Sequence, residues 1–186
     1  MRNDGTMSET ARLITAEELE HFPTDERYEL VEGRLVRMTP VGYLHGRTVV
    51  RLASMLERHA RATGAGEVLT EVGFTLKSDP DTVLAPDIAF IRRDRLPAST
   101  PRGFWRGPAD LAIEVLSPED TPSKIRQKID EYLLRGTSCV VVIDPEKRIA
   151  TVFRRARQPV TLRSEETLDL SEVVPGFACQ VRAIVE

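Results

Sequence analysis

A long amphipathic segment occupies the first half of the chain. Apolar residues recur from Leu44 to about Thr63 at the spacing of one helix face. That face is formed by Val49, Leu52, Ala53, Leu56 and Ala60. Gly64 and Gly66 follow, and glycine is the residue that most often ends a helix. The pattern predicts a helix of about five turns.

A second helix is predicted in the second half. Thr121-Pro122 can begin it, because proline suits the first helical position, and Gly136 can end it. Its buried face consists of Ile125, Ile129, Tyr132 and Leu133. The apolar runs DLAIEVLS and CVVVID lie on either side of this helix. A strand–helix–strand unit of this kind predicts a parallel pair of strands joined by a right-handed crossover.

The remaining apolar runs are short and bounded by turn residues, as strands are. Thr15 and Glu18 form a capping-box pattern that predicts a short helix over 16–21. RYELVEGRLVRM predicts a hairpin around Glu32-Gly33, EVLTEVGFTLK a pair of strands, and 78–81 a turn. APDIAFI predicts a central strand, separated from DLAIEVLS by a loop over 93–109, and IATVFRR follows CVVVID. Only short strands are expected over 158–186.

Length and composition indicate one globular α/β domain. The chain has 186 residues, 41% apolar and 30% charged, which suffices for one hydrophobic core. Residues 1–12 are polar and predict a disordered leader, so the domain is expected over 13–186. No apolar run approaches the roughly 20 residues of a membrane span, and the N-terminus lacks a secretory signal. We therefore expect a cytoplasmic protein without a membrane partner.

The two cysteines and the charge distribution narrow the function classes. Cys139 and Cys179 lie in apolar settings and predict two buried thiols, with no ligand spacing for zinc. The net charge of −3 argues against a DNA binder that relies on bulk charge. Residues 147–163 nevertheless carry bases and no acid, namely Lys147, Arg148, Arg154, Arg155, Arg157 and Arg163. A solvated hairpin face is favoured for this segment, and a phosphate-contacting strip is the alternative.

Two acids stand in apolar strands, where carboxylates are costly to bury. Asp87 begins the strand of APDIAFI, and Glu114 lies inside DLAIEVLS with the small Ala112 on its own side. Each acid alone could have a structural role, Asp87 as a turn cap and Glu114 as the partner of Arg92 or Arg126. Together, two acids at neighbouring strand ends repel each other unless a cation lies between them. A divalent ion such as Mg²⁺ meets that need, which predicts a metal site at Asp87 and Glu114.

A lysine of the second helix is predicted to reach these acids. Lys128 lies at the margin of the buried face, next to Ile129, whereas Lys124 lies farther round toward solvent. Lys128 can therefore lay its stem along apolar surface and direct its ammonium toward the sheet edge. Simple burial of the stem, without any role at the site, is the alternative.

These motifs resemble a known family. PD at 86–87, EVL at 114–116 and a lysine on the next helix resemble the PD-(D/E)XK restriction-endonuclease-like superfamily. RYELVEGRL, APDIAFI, LAIEVLSP, K-x-x-x-Y from Lys128 to Tyr132, and VIDP, in that order, resemble the Uma-two family of restriction endonucleases within it. The resemblance covers about residues 14–184. It implies an α/β restriction-endonuclease-like core with a central mixed sheet flanked by helices, Mg²⁺ dependence and phosphodiester hydrolysis.

The resemblance also extends and qualifies the set of site residues. It implies Glu29 as a further acid near the site and His45, at the head of the long helix, as a candidate catalytic residue. The face that His45 shares with Val49 and Leu52 favours a core or capping histidine instead. Position 116 is leucine where the superfamily has lysine, so that role passes to Lys128. Lys124 stands where the family often has aspartate, which changes the charge pattern beside the site.

The resulting hypothesis is a Mg²⁺-dependent endonuclease, with Mn²⁺ as an alternative cofactor and nucleic acid, in the first place DNA, as partner. Its catalytic set is Asp87, Glu114 and Lys128, with Glu29 and His45 as further candidates, and Asp87 and Glu114 hold the metal. The rival is an interaction or regulatory module that kept the fold and lost the chemistry, which the acidic net charge favours. An acyl hydrolase is disfavoured, because G-x-S-x-G is missing and Ser117 has no histidine partner within sequence reach. A homodimer stays open.

Overall fold

A computed structural model describes residues 12–23 and 26–186 of the chain. The predicted leader falls outside the described residues except for Arg12, and the single domain over 13–186 stays a prediction. The helices are α1 (Ala16–Glu20), α2 (Tyr43–Thr63), α3 (Pro122–Arg135) and α4 (Arg182–Val185). The strands are β1 (Tyr28–Val31), β2 (Arg34–Arg37), β3 (Gly66–Leu69), β4 (Phe74–Lys77), β5 (Thr82–Leu84), β6 (Ile88–Arg92), β7 (Trp105–Arg106), β8 (Leu111–Val115), β9 (Cys139–Asp144), β10 (Ile149–Arg154), β11 (Val160–Arg163), β12 (Thr167–Asp169) and β13 (Ala178–Gln180).

The three predicted helices form, whereas α4 differs from the expectation of only short strands over 158–186. At α1, Thr15 accepts from the Glu18 amide while the Glu18 carboxylate binds the Thr15 amide, which completes the capping box. α2 ends at Gly64 and α3 at Gly136, both in the left-handed conformation that glycine adopts without strain. Thr121 caps the start of α3, one residue before Pro122. Local sequence rules therefore account for the bounds of all three helices.

The strands build a mixed central sheet in the order β11-β10-β9-β8-β6-β3. β8 and β9 are parallel, which confirms the strand–helix–strand unit across α3, and the other pairs of this sheet are antiparallel. A second sheet has the order β2-β1-β5-β4-β7 and contains the predicted hairpin around Glu32-Gly33. β12 and β13 form a separate pair. The fold is thus α/β with a central mixed sheet flanked by helices, as expected.

EVLTEVGFTLK forms two strands, as predicted, but the two do not pair with each other. β3 pairs with β6 in the central sheet, whereas β4 pairs with β5 and β7 in the second sheet. The connecting segment carries Glu71, whose φ is 60°. The two strands therefore serve two different sheets.

The central sheet is covered on both faces. On one face, Leu52, Leu56 and Ala60 of α2 pack against alternating residues of β6, β8 and β9. On the other face, Ile129 and Tyr132 of α3 pack together with β4 and β5 of the second sheet. Ala112 faces α3, and so does Glu114 by the alternation of strand side chains. Glu114 is therefore enclosed by α3, on the face opposite the one that Leu52, Leu56 and Ala60 of α2 cover.

Cys139 and Cys179 are buried free thiols, as predicted. In the basic segment 147–163, Lys147 pairs with Asp144 at 2.8 Å, and Arg154 and Arg157 both contact Glu172 at 3.1 and 3.0 Å. Within the described part of the chain, no helix combines the length and apolarity that crossing a membrane requires.

Candidate active site

Asp87 and Glu114 lie at one end of adjacent central strands. Asp87 directly precedes β6, and Glu114 is the fourth residue of β8, which pairs with β6. Both side chains are buried. The Val115 amide donates a 2.6 Å hydrogen bond to Oδ2 of Asp87. This bond ties Asp87 to the backbone immediately after Glu114.

Lys128 connects two of the acids. Its Nζ lies 3.1 Å from Glu114 Oε2 and 2.9 Å from Glu29 Oε1. Glu29 belongs to β1, and its Oε1 also accepts from the Ala85 amide at 2.9 Å. Lys124, one turn earlier on α3, is exposed to solvent. Glu29 of the second sheet and Lys128 of α3 thus meet at the end of β8, the central strand that carries Glu114.

The arginines considered as partners of Glu114 have other partners. Arg92 pairs with Asp94 at 3.3 Å, and Arg126 pairs with Asp130 at 3.0 Å. Glu114 is instead bound by Lys128 and by Tyr132, whose hydroxyl donates to Oε1 at 2.8 Å. The sequence places Tyr132 on the buried face of α3 and in the K-x-x-x-Y motif, without a role at the site. Its polar end is what makes it part of the site.

The electrostatics of this cluster follow from burial. Desolvation, opposed by Lys128 and assisted by the charges of Asp87 and Glu29, raises the pKa of Glu114 to about 8. Burial lowers the pKa of Lys128, but the two carboxylates outweigh that effect and hold it above its usual value. Burial and the charge of Glu114 raise the pKa of Tyr132, so its hydroxyl remains a donor. Lys128 contacts Glu114 and Glu29, and Asp87 adds a third acid that acts on Glu114.

His45 lies at the first turn of α2 and is buried. Its Nε2 atom is 3.2 Å from Asp87 Oδ1, and its Nδ1 atom forms a 3.1 Å hydrogen bond with the Ser117 hydroxyl. Burial lowers the pKa of His45, yet the adjacent Asp87 carboxylate and the charge of Glu71 raise it overall. The histidine is thus buried as its helix face indicates, but its ring is directed at an acid. Ser117 has no histidine within sequence reach, but the fold places its hydroxyl beside His45.

Glu71 is the site residue that sequence reasoning missed. Ligand atoms of His45, Glu71 and Asp87 all lie within 4.8 Å of one another. Glu71 stands in the connection between β3 and β4, and its amide donates to the Pro86 carbonyl at 3.2 Å. In the sequence, nothing distinguishes Glu71, between Thr70 and Val72, from an acid on a solvent-exposed loop. Its position depends on the pairing of distant segments.

Comparisons with known proteins identify the family and the fold. The profile of the Uma2 family, described as "Putative restriction endonuclease", matches residues 16–182. The chain belongs to this family. No curated protein matches it. The crystal structure of a "putative nuclease belonging to DUF820" from Anabaena variabilis has the same fold, with a TM-score of 0.82 at 19% identity over 92% of this chain and 97% of that chain. The resemblance inferred from the five motifs is therefore confirmed, and family membership supports a nuclease.

Proposed function

We propose that this Uma2 protein is an endonuclease that hydrolyses phosphodiester bonds in DNA with the help of Mg²⁺ or Mn²⁺. The observation that carries the proposal is the position of Lys128. Its ammonium lies between Glu114 and Glu29, at the strand end where Asp87 is bound to the Val115 amide. A lysine beside converging acids is the arrangement that phosphodiester hydrolysis requires, because the reaction needs both a cation site and a charge-stabilising donor.

The residues present fit a divalent cation. Asp87 and Glu114 supply carboxylate oxygens, which Mg²⁺ and Mn²⁺ prefer. Burial first, and then the charges of Asp87 and Glu29, raise the pKa of Glu114 against the opposing charge of Lys128. Further positive charge would therefore be favourable. When bound, the cation would polarise the scissile phosphate and lower the pKa of a water.

The protein residues have separate tasks in this proposal. Lys128 remains charged and donates to the phosphate oxygen on which negative charge develops. Glu29 holds the Lys128 ammonium from the side of the second sheet, so that the lysine does not depend on Glu114 alone. Tyr132 fixes the orientation of the Glu114 carboxylate through Oε1. Catalytic roles for Asp87, Glu114 and Lys128 are proposed here, with Glu29 as a positioning residue and His45 as a candidate ligand.

Nicking of supercoiled plasmid at low salt tests the proposal directly. We expect relaxed circles with Mg²⁺ or Mn²⁺, none with EDTA, and none from Glu114→Gln. An RNA duplex and single-stranded DNA run beside the plasmid would separate a DNA enzyme from a ribonuclease. Absence of cleavage on every substrate with both metals would contradict the proposal.

The second candidate is a catalytically inactive module that retains the fold. The pairing of the basic segment with acids favours it, because Arg154 and Arg157 share Glu172 and Lys147 is held by Asp144. Such pairs leave less free positive charge for phosphate contacts. This candidate predicts no cleavage and no loss of partner binding in Lys128→Ala. The two buried thiols suit a reducing compartment such as the cytoplasm for either candidate.

A further inference from the structure

The imidazole of His45 has one ring nitrogen without a hydrogen-bond partner. The side chain is 6% exposed, and its Nδ1 atom is bound to the Ser117 hydroxyl. Nε2 lies 3.2 Å from Asp87 Oδ1, but the two atoms are not aligned as donor and acceptor, and no other described residue bonds to Nε2. A buried nitrogen left in this state costs free energy unless something else binds it. The nitrogen is therefore free to hold a ligand.

The atoms around Nε2 have the spacing of a cation site. With bonds of about 2.1 Å, ligand atoms at neighbouring octahedral positions are separated by roughly 3 Å, and those at opposite positions by roughly 4.2 Å. The 3.2 Å between Nε2 and Oδ1 suits neighbouring positions. An oxygen of Glu71 lies within 4.8 Å of both of these atoms, so the three donors need to approach one another only slightly to share one cation. Three donors thus converge from α2, from the start of β6 and from the segment between β3 and β4.

Backbone contacts hold Glu71 in this position. Its amide donates to the carbonyl of Pro86, the residue before Asp87, so the two acids are fixed to each other through the main chain. Its φ of 60° is uncommon for a residue with a side chain. Arg27 forms an ion pair with Oε2 of Glu71 and is itself 56% exposed. One carboxylate oxygen is thus bound by an arginine that can withdraw to solvent.

We propose that Glu71 and His45 are ligands, with Asp87, of the divalent cation, and that the histidine nitrogen makes the site prefer Mn²⁺ to Mg²⁺. The preference follows because imidazole is a good ligand for transition metals, whereas Mg²⁺ favours oxygen donors. Nδ1–H can donate to the Ser117 hydroxyl, and this hydrogen bond fixes the ring so that Nε2 faces the cation. Arg27 competes with the cation for Glu71. This inference rests on the metal dependence proposed above and extends it to ligands that the sequence did not reveal.

Binding of Mn²⁺ to the full chain, measured by titration calorimetry and by pulsed electron paramagnetic resonance, tests the inference. We expect Mn²⁺ to bind at least about tenfold more tightly than Mg²⁺. Protein labelled with ¹⁵N-histidine should show nitrogen coupling to bound Mn²⁺, and His45→Gln should remove that coupling although His21 and His59 keep their label. Mn²⁺ binding without any histidine coupling would overturn the inference.

Matched variants test Glu71 separately. Glu71→Gln should weaken Mn²⁺ binding by at least about tenfold, whereas Glu67→Gln, on an exposed position of β3, should leave it unchanged. Arg27→Gln should strengthen binding several-fold by releasing Glu71. Equal affinities for wild type and Glu71→Gln would overturn the inference. If Glu114→Gln then still abolished Mn²⁺ binding and nicking, the proposed function would stand with a different ligand set. Failure of the wild type to bind Mn²⁺ or Mg²⁺ would contradict both.

Discussion

The Tyr132 hydroxyl donates a 2.8 Å hydrogen bond to Oε1 of Glu114 from within the apolar face of α3. Lys128 approaches the other oxygen, Oε2, from one turn earlier on the same helix. A single helix therefore fixes both oxygens of a carboxylate that sits inside a buried strand. The folding of α3 against β8 and the geometry of the site are consequently linked.

Removal of this hydroxyl should affect both stability and activity. Tyr132→Phe leaves Glu114 with one partner fewer in a buried setting, which should cost about 1–3 kcal/mol of unfolding free energy. Urea denaturation with EDTA measures that cost. Nicking should fall by roughly tenfold or more, because partners that orient a ligand usually contribute that much. Tyr28→Phe removes a hydroxyl that is bound to Glu26 elsewhere and should leave nicking unchanged. Equal activity of the two variants would contradict a positioning role for Tyr132.

The two lysines of α3 should differ in their effect on cleavage. Lys128→Ala should reduce metal-dependent nicking by roughly 10²–10³-fold, the usual loss when one charge-stabilising donor is removed. Metal affinity should be unchanged or higher, since the acids lose a competing cation. Lys124→Ala, whose side chain is exposed, should have little effect. Comparable losses in both variants would mean that α3 binds DNA phosphates without a specific role for Lys128.

The stability of the metal-free protein should depend on pH through Glu114. Its pKa is about 8 in the folded protein, against 4.5 for a free carboxyl group. The folded state therefore keeps a proton that the unfolded state has released. The stability gained from this proton is complete below about pH 4.5 and is lost as the pH rises through 8. Unfolding free energies in EDTA from pH 5 to 9 should fall more steeply for the wild type than for Glu114→Gln. Parallel curves would show that Glu114 is ionised throughout.

The helices, the hairpin and the parallel pair β8–β9 could be predicted from the sequence because each depends on local periodicity or on one crossover. Asp87 and Glu114 could be singled out because an acid in an apolar strand is visible without the fold, and Lys128 because it lies at the margin of the apolar face of its helix. The partner sheets of β3 and β4, and the strand β5, were not predicted. Their pairing joins segments that are distant in sequence, and Glu71 acquires its neighbours only through it. The sequence left two roles open for His45, because its helix face predicts a buried core or capping residue and the family resemblance implies a catalytic one.

The two cysteines should be unreactive in the folded protein. Burial raises the pKa of Cys139 to about 11, and it raises the pKa of Cys179 to about 11 as well. Little thiolate is then present at pH 8, and access to the sulfur is blocked. Mass spectrometry after iodoacetamide treatment should show no modification in buffer and two modified cysteines in denaturant. Rapid alkylation of Cys179 in buffer would indicate that β13 opens locally.

Substitution of Glu114 should separate the metal site from the fold. Glu114→Gln retains a side chain of the same shape, and its amide oxygen can still accept from Tyr132. The repulsion that Asp87 and Glu29 exert on this position disappears, so the melting temperature in EDTA should be equal to or higher than that of the wild type. In the wild type, Mg²⁺ or Mn²⁺ should raise the melting temperature with concentration, because a ligand of the folded state stabilises it by mass action. The variant should lose most of that increase.

Glu131→Gln is the matched control for this experiment. Glu131 is on the same helix as Lys128 but pairs with Arg135 at 2.8 Å, away from the site, so its metal response should equal that of the wild type. A Glu114→Gln protein that unfolds without metal would identify Glu114 as an ion-pair partner needed for folding, and the nuclease proposal would lose its main support. A variant that folds and retains the full metal response would instead assign the cation to Asp87, His45 and Glu71 without Glu114. The direction of the melting shift in EDTA distinguishes these cases before any activity is measured.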